Sequence, residues 1–283
     1  MPRQLTQSAV EEWVALAGGK FTVRDIWSEI GIESLEGKKH LRIILARLEK
    51  KGVLVANRDG SFRKLDLEVE ELNWQDADPD KILPIKFPFE LERYCRIYPQ
   101  SIIIVAGSKN AGKSAFLYNF IKLNMDAFNI DLFNSETGRE LMLERFTPLQ
   151  IPKPAPFRVI TRYDHFSDVI HPEHISVIDY LDIDSEFYLI GAEIKAIFRK
   201  LTTGIAVIGL QKPPGRDLAI GGIQSAKAAT LYIALDNNKL KLVYVKVPPK
   251  GGKVDPTNMT WTFLIDKEDG VHFRNIQRFY GEQ

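Results

Sequence analysis

Apolar and polar positions follow two different patterns along the chain. As far as about residue 65 the apolar residues recur at helical spacing. Residues 5–17 (LTQSAVEEWVALA) and 23–30 (VRDIWSEI) each present one apolar face, and Gly31 stops the second helix. In residues 36–51 (EGKKHLRIILARLEKK), Leu41, Ile44, Leu45 and Leu48 fall on one stripe, while Lys38, Lys39, Arg42 and Arg47 project from the others. Gly52 ends that third helix. Residues 53–56 and 61–65 are short extended runs around Asn57-Arg58-Asp59-Gly60, whose Asp-Gly step predicts a tight hairpin.

Beyond residue 87 the pattern changes to continuous apolar runs alternating with helical segments. The runs 101–106 (SIIIVA), 129–133 (NIDLF), 175–178 (ISVI), 205–210 (IAVIGL) and 230–235 (TLYIAL) are short and rich in β-branched residues. Strands of this kind are buried on both faces, as in a parallel sheet covered by helices. Residues 240–247 (LKLVYVKV) and 261–265 (WTFLI) add strands at the sheet's edge. The fold class predicted for residues 87–283 is α/β with a mainly parallel sheet. Residues 66–80 carry seven acidic side chains and no Lys or Arg, followed by Pro84 and Pro88, which predicts an acidic linker over 67–86. No internal repeat is present.

Three helices and a hairpin over residues 1–66 predict a small winged helix-turn-helix domain. Its third helix, with Lys38, Lys39 and Arg42, would be the recognition helix, and Arg58, Arg63 and Lys64 lie on or near the wing, a distribution suited to DNA phosphates. Winged helices also dock proteins or dimerise, and both uses are open at this point.

Composition narrows the picture in a few places. A net charge of +1 on 283 residues excludes a polycation, so any nucleic-acid contact must be local. The single cysteine, Cys95, forms neither an intrachain disulfide nor a cysteine-based zinc site. No apolar run approaches the roughly 18 residues needed to span a bilayer, and Met1-Pro2-Arg3-Gln4 does not open a secretory signal. The expected location is cytoplasmic.

The chemistry concentrates after the run SIIIVA. Gly107-Ser108-Lys109-Asn110-Ala111-Gly112-Lys113-Ser114 matches G-x-x-x-x-G-K-[ST] in full, with a strand before it and an apolar helix (115–123) after it. Its glycines let backbone N–H groups wrap the phosphates of ATP at the helix's positive end. Lys113 is expected on the β- and γ-phosphates, and Ser114 as a hydroxyl ligand of Mg2+. Asp179, closing the strand ISVI, is the expected second metal-site residue; Asp182 and Asp184 follow the strand and read as loop residues. Glu136, just past NIDLF, is placed at the carboxyl edge of the sheet as the base or water-orienting group.

The loop 212–222 combines Lys212 and Arg216 with Gly215 and Gly221-Gly222 and has no aromatic residue, which suits ordering on a DNA phosphate backbone without base stacking. His171-Pro172-Glu173-His174 lacks the further ligands of a zinc site, and its histidines are expected to cap the loop before ISVI.

The order of phosphate loop, strand plus Glu136, strand plus Asp179 and strand ending in Gln211 resembles the RecA/DnaB/KaiC-type ATPase superfamily, over residues 89–280. The sharpest stretch is 208–235, IGLQKPPGRDLAIGGIQSAKAATLYIAL. Within the superfamily the chain is most similar to small phage and mobile-element ATPases. The resemblance implies a RecA-like core in which Gln211 senses the γ-phosphate and relays its state to the loop 212–222. It also implies cations delivered from a neighbouring subunit, for which Lys246 and Lys250 are the candidates, and therefore a homo-oligomeric filament or ring. The function so implied is a DNA-dependent ATPase using ATP and Mg2+ in replication, recombination or mobile-element processing. The alternatives are an ATP-switched DNA-binding regulator and a KaiC-like signalling ATPase without nucleic acid. Unlike bacterial RecA or DnaB, the chain carries a winged helix at its N-terminus, so strand exchange, unwinding and loading all stay open.

Overall fold

The computed structural model describes residues 5–17, 19–65, 67, 69, 71–181 and 189–280. The chain divides into two compact units, residues 1–77 and 78–283.

The first unit contains α1 (Gln7–Leu16), β1 (Lys20–Phe21), α2 (Val23–Ile30), α3 (Leu35–Lys50), β2 (Leu54–Ala56) and β3 (Phe62–Lys64). Each helix starts at a hydroxyl cap: the side chains of Thr6, Thr22 and Ser34 accept from backbone N–H groups of the first turn, and Thr22 forms a reciprocal box with Asp25. Gly31, left-handed at φ 76°, closes α2. The stripe Leu41, Ile44, Leu45 and Leu48 is buried against Val10, Val14, Phe21, Ile26 and Leu54. β2 and β3 form the expected hairpin, and β1 joins β3 with Phe21 opposite Phe62, a third strand too short to read in the sequence.

The second unit begins earlier than the expected boundary. Ile85 and Phe87 are already buried, Leu83 N–H donates to Ile97 O at 2.8 Å, and the Tyr98 hydroxyl donates to Pro79 O at 3.0 Å. Its elements run β4 (Ile102–Gly107), α4 (Lys113–Asn124), β5 (Ile130–Asn134), α5 (Arg139–Phe146), β6 (Arg158–Thr161), β7 (Ile175–Asp179), α6 (Ile190–Lys200), β8 (Ile205–Gln211), α7 (Ile223–Ala226), β9 (Leu231–Asp236), β10 (Lys239–Val245), β11 (Thr260–Ile265) and β12 (Phe273–Phe279). The nine strands make one sheet in the order β12-β11-β10-β9-β4-β8-β7-β5-β6. The strands from β9 to β6 are parallel, and β10, β11 and β12 extend the sheet antiparallel.

β4 lies between β9 and β8 and alternates between two cores, Ile103 and Val105 packing with α4 on one face, Ile102, Ile104 and Ala106 with α6 on the other. That two-sided burial explains why its sequence is continuously apolar. β6 and β12 are the edge strands; mostly exposed, they lack the apolar run that marks the others. No helix among the described residues is long and apolar enough to cross a membrane.

Candidate functional site

Parallel register brings the carboxyl ends of β4, β8, β7 and β5 into one line. Gly107 pairs with Gln211, and Asn134 pairs with Asp179. Ligands of open α/β sheets bind along such an edge.

The phosphate loop leaves β4 at Gly107 and enters α4 at Lys113, with left-handed backbone at Asn110 (φ 61°) and Gly112 (φ 90°). A Cβ on Gly107 would stand 2.4 Å from Lys113 Cγ, and one on Gly112 2.6 Å from Ile265 Cδ1, so both positions exclude side chains. Ser108 and Ala111 are buried, and Lys109 and Asn110 are exposed.

Lys113 folds back over the loop, and its Nζ donates to Gln211 Oε1 at 3.0 Å and to Gly107 O at 3.5 Å. Burial lowers the Lys113 pKa, opposed by the nearby negative charges of Asp179 and Glu136. Ser114 Oγ donates to Asp179 Oδ1 at 3.2 Å. Asp179 is 1 % exposed, and burial raises its pKa against the favourable Ser114 and Tyr118 hydroxyls and the Lys113 charge. Its second oxygen, Oδ2, has no partner in hydrogen-bonding geometry among the described residues; neither has the Tyr118 hydroxyl, although it is close enough to favour the carboxylate. A buried carboxylate oxygen with spare capacity beside a serine hydroxyl fits a hard divalent cation that takes the rest of its shell from phosphate and water. Among the described residues there is no cluster of three metal-ligating side chains of an all-protein cage.

Glu136 stands exposed beyond β5 on a closed turn: Asn134 Nδ2 donates to Thr137 O at 2.6 Å, and Thr137 N–H returns to Asn134 Oδ1 at 3.0 Å. Ser135 N–H donates to Asp179 O (3.0 Å), and Ser135 Oγ donates to Tyr180 O (2.8 Å). Ser135 therefore stitches the Glu136 turn to the Asp179 strand. Ser135, Tyr118 and Asp236, a serine, a helical tyrosine and a strand-end aspartate, carry no sequence motif of their own that would mark them.

Other expected site residues fall elsewhere. Lys212 departs from its expected place: its side chain is fully buried, and its ammonium donates to Asp236 Oδ1 at 2.6 Å and Arg216 O at 2.7 Å, so it does not offer a cation to DNA in this conformation. Arg216 is exposed. Lys246 and Lys250 are exposed beyond the end of β10, which runs antiparallel to β9 and ends opposite Leu231, so both lie at the sheet edge away from the chain's own phosphate loop. Lys250 also contacts the Asp80 carboxylate. In the first unit Lys39, Arg42, Arg58, Arg63 and Lys64 are exposed, while Lys38 lies over the Trp27 ring at 4.1 Å.

His171 and His174 stack at 3.7 Å, and His174 Nδ1 lies 2.9 Å from Asp131 Oδ2, a carboxylate also held by the Arg158 guanidinium at 2.6 and 2.8 Å. This cluster sits at the amino ends of β5 and β6. Cys95 is buried, its thiol pushed up to about 12 by desolvation, an inert core residue. Asp182 and Asp184 lie outside the described residues.

Fold and site together define an α/β chain with a strand, phosphate loop and helix at the centre of a mostly parallel sheet. No family model matches the sequence, and no curated protein matches it. Among solved structures it is similar to one described as the crystal structure of the RadB recombinase, at 10 % identity and a TM-score of 0.47, over 64 % of this chain and 92 % of that one.

Proposed function

We propose that the protein is a RecA-like ATPase that binds ATP and Mg2+ at the phosphate loop and works on DNA as a homo-oligomeric filament or ring. The observation that carries the reading is the convergence of Lys113, Ser114, Asp179, Gln211 and Glu136 on the carboxyl edge of four adjacent parallel strands.

In this reading the backbone N–H groups of residues 108–113 receive the phosphates, and Lys113 exchanges its Gln211 contact for the β- and γ-oxygens. Ser114 and Asp179 would hold Mg2+, which supplies positive charge between those phosphates. Freed from Lys113, Gln211 turns to the γ-phosphate and passes its presence to the loop that follows. Glu136 orients a water for attack and takes its proton. Lys246 and Lys250 sit away from their own phosphate loop, which suits cations offered to a neighbouring subunit. DNA would meet Arg216 on the 212–222 loop and, in the first unit read as a winged helix, the basic face of α3 with Lys39 and Arg42 and the wing with Arg58 and Arg63. The processes such an enzyme serves are replication, recombination or mobile-element processing.

A second reading, an ATP-switched DNA-binding regulator, is favoured by the separate first unit, whose α3 and hairpin carry exposed basic side chains. Hydrolysis of ATP with and without single- and double-stranded DNA, combined with negative-stain imaging in a non-hydrolysable analogue, tests the first reading. DNA-stimulated turnover with filaments or rings supports it. Turnover indifferent to DNA, with monomers in every condition, sinks it. Sequence-specific binding by residues 1–77 alone would move the reading to the regulator.

A further inference from the structure

One carboxylate joins the phosphate loop to the 212–222 loop. Asp236, the last residue of β9, accepts at Oδ1 from Ser108 Oγ at 3.3 Å and from Lys212 Nζ at 2.6 Å. The backbone doubles the join: Ser108 N–H donates to Leu235 O at 3.2 Å, and Lys212 N–H donates to Gly107 O at 3.1 Å. We propose that Asp236 is a positioning residue that clamps the two loops together, so that filling the phosphate loop resets the loop that follows Gln211. The inference rests on the nucleotide-binding reading above and deepens it.

Lys212 explains why the carboxylate matters. Its side chain is fully buried, and its ammonium also donates to Arg216 O, making it the post around which residues 212–216 are wound. A buried ammonium keeps its charge only with a counter-charge and acceptors at hand. Without the Asp236 carboxylate, a lone carbonyl would hold that cation, and the turn would open to bring the ammonium to water. The far half of the loop has its own anchors: Ala219 N–H donates to the Tyr232 hydroxyl at 2.9 Å, and Asp217 pairs with Lys241 at 2.7 Å in a partly exposed contact. Asp236 thus governs the near half, which carries the exposed Arg216.

Ser108 supplies the other end. It is 5 % exposed and lies one residue beyond Gly107, inside the segment that must enclose phosphates. A shift of that segment moves its hydroxyl against the oxygen that also holds Lys212. Gln211, through Lys113, is one link between nucleotide and loop; Asp236, through Ser108, is a second that does not touch the nucleotide.

Limited trypsin cleavage after Arg216 in the full chain reads the clamp directly, since Lys212 precedes a proline. Cleavage of the unmodified protein should slow about threefold or more with a non-hydrolysable ATP analogue and Mg2+. Asp236→Asn should be cut about tenfold faster without nucleotide and lose the nucleotide response, while its affinity for a fluorescent ATP analogue stays within about threefold. Its kcat should fall more than its KM rises. Asp236→Asn alone should also lower thermal stability; combined with Lys212→Met, which removes the orphaned cation, that stability should return, and the nucleotide response should not. Wild-type cleavage with an intact response in Asp236→Asn overturns the clamp, as does a restored response in the double variant. If the unmodified protein binds no nucleotide, the ATPase reading fails, while the nucleotide-free cleavage rates still decide whether Asp236 holds the loop.

Discussion

Lys113 Nζ rests on Gln211 Oε1 at 3.0 Å, so the lysine of the phosphate loop is held by the end of the neighbouring strand. Its contact is with a neutral amide, which a phosphate oxygen can replace without stranding a buried charge.

Removal of that ammonium should abolish turnover. Lys113→Ala is expected to lower ATP hydrolysis by roughly 100-fold or more, the scale for losing one charge-stabilising donor. Steady-state phosphate release measures it, and a wild-type rate would take the phosphate loop out of the function.

Glu136→Gln should separate binding from chemistry. The side chain is exposed on a turn fixed by Asn134 and Thr137, so the fold should hold. Turnover should drop about 100-fold or more, the usual share of a positioned base, with nucleotide affinity unchanged. Unchanged kcat in this variant would refute the role.

Asp179 carries a pH dependence whose sign follows from its burial. Its folded-state pKa is raised, so the folded protein binds the proton more tightly than the unfolded chain does. Stability without nucleotide is therefore fullest below the ordinary Asp value of 3.8 and declines as pH rises through the raised folded value. Asp179→Asn should raise the nucleotide-free Tm at neutral pH by a few degrees, roughly the effect of 1 kcal/mol in a domain of this size. The same variant should lose the Tm gain that Mg2+ and ATP give the wild type. Thermal scans with and without both ligands check the two halves.

In the first unit, Leu41 is fully buried on α3. Leu41→Ala should cost about 2–5 kcal/mol, enough to unfold a small domain while the larger unit stays folded. Circular dichroism melts of residues 1–77 and of the full chain would show it.

Reversing the exposed charges of α3 tests the basic face. Lys39→Glu with Arg42→Glu should weaken DNA binding and reduce the slope of log K against log salt by roughly one for each phosphate that is no longer neutralised. Fluorescence anisotropy across a salt series measures both; unchanged affinity and slope would assign this face to something other than DNA.

Local signals survived into the structure wherever the physics was local. The α3 stripe packs one core, because residues three and four apart share a helix face whatever surrounds them. The continuous runs of β4, β7 and β8 became central strands, because two-sided burial leaves no place for polar residues. β6 and β12 escaped notice because an edge strand needs neither alternation nor an apolar run.

By itself the sequence determined the α/β class of the larger unit, the central strands and the strand, loop and helix around Gly107–Ser114, all of which follow from periodicity and backbone freedom within a short stretch. Only tertiary structure decided which distant side chains meet. Asn134 opposite Asp179 draws the Glu136 turn to the Asp179 carboxylate, and Gly107 opposite Gln211 sets an amide under Lys113. Lys212 shows the difference most sharply: beside prolines and glycines it reads as a solvent cation, yet Asp236, 24 residues away, draws it inside. Whether a charge faces water depends on the counter-charge that folding brings to it, and the order in which distant strands assemble into the sheet brings it there.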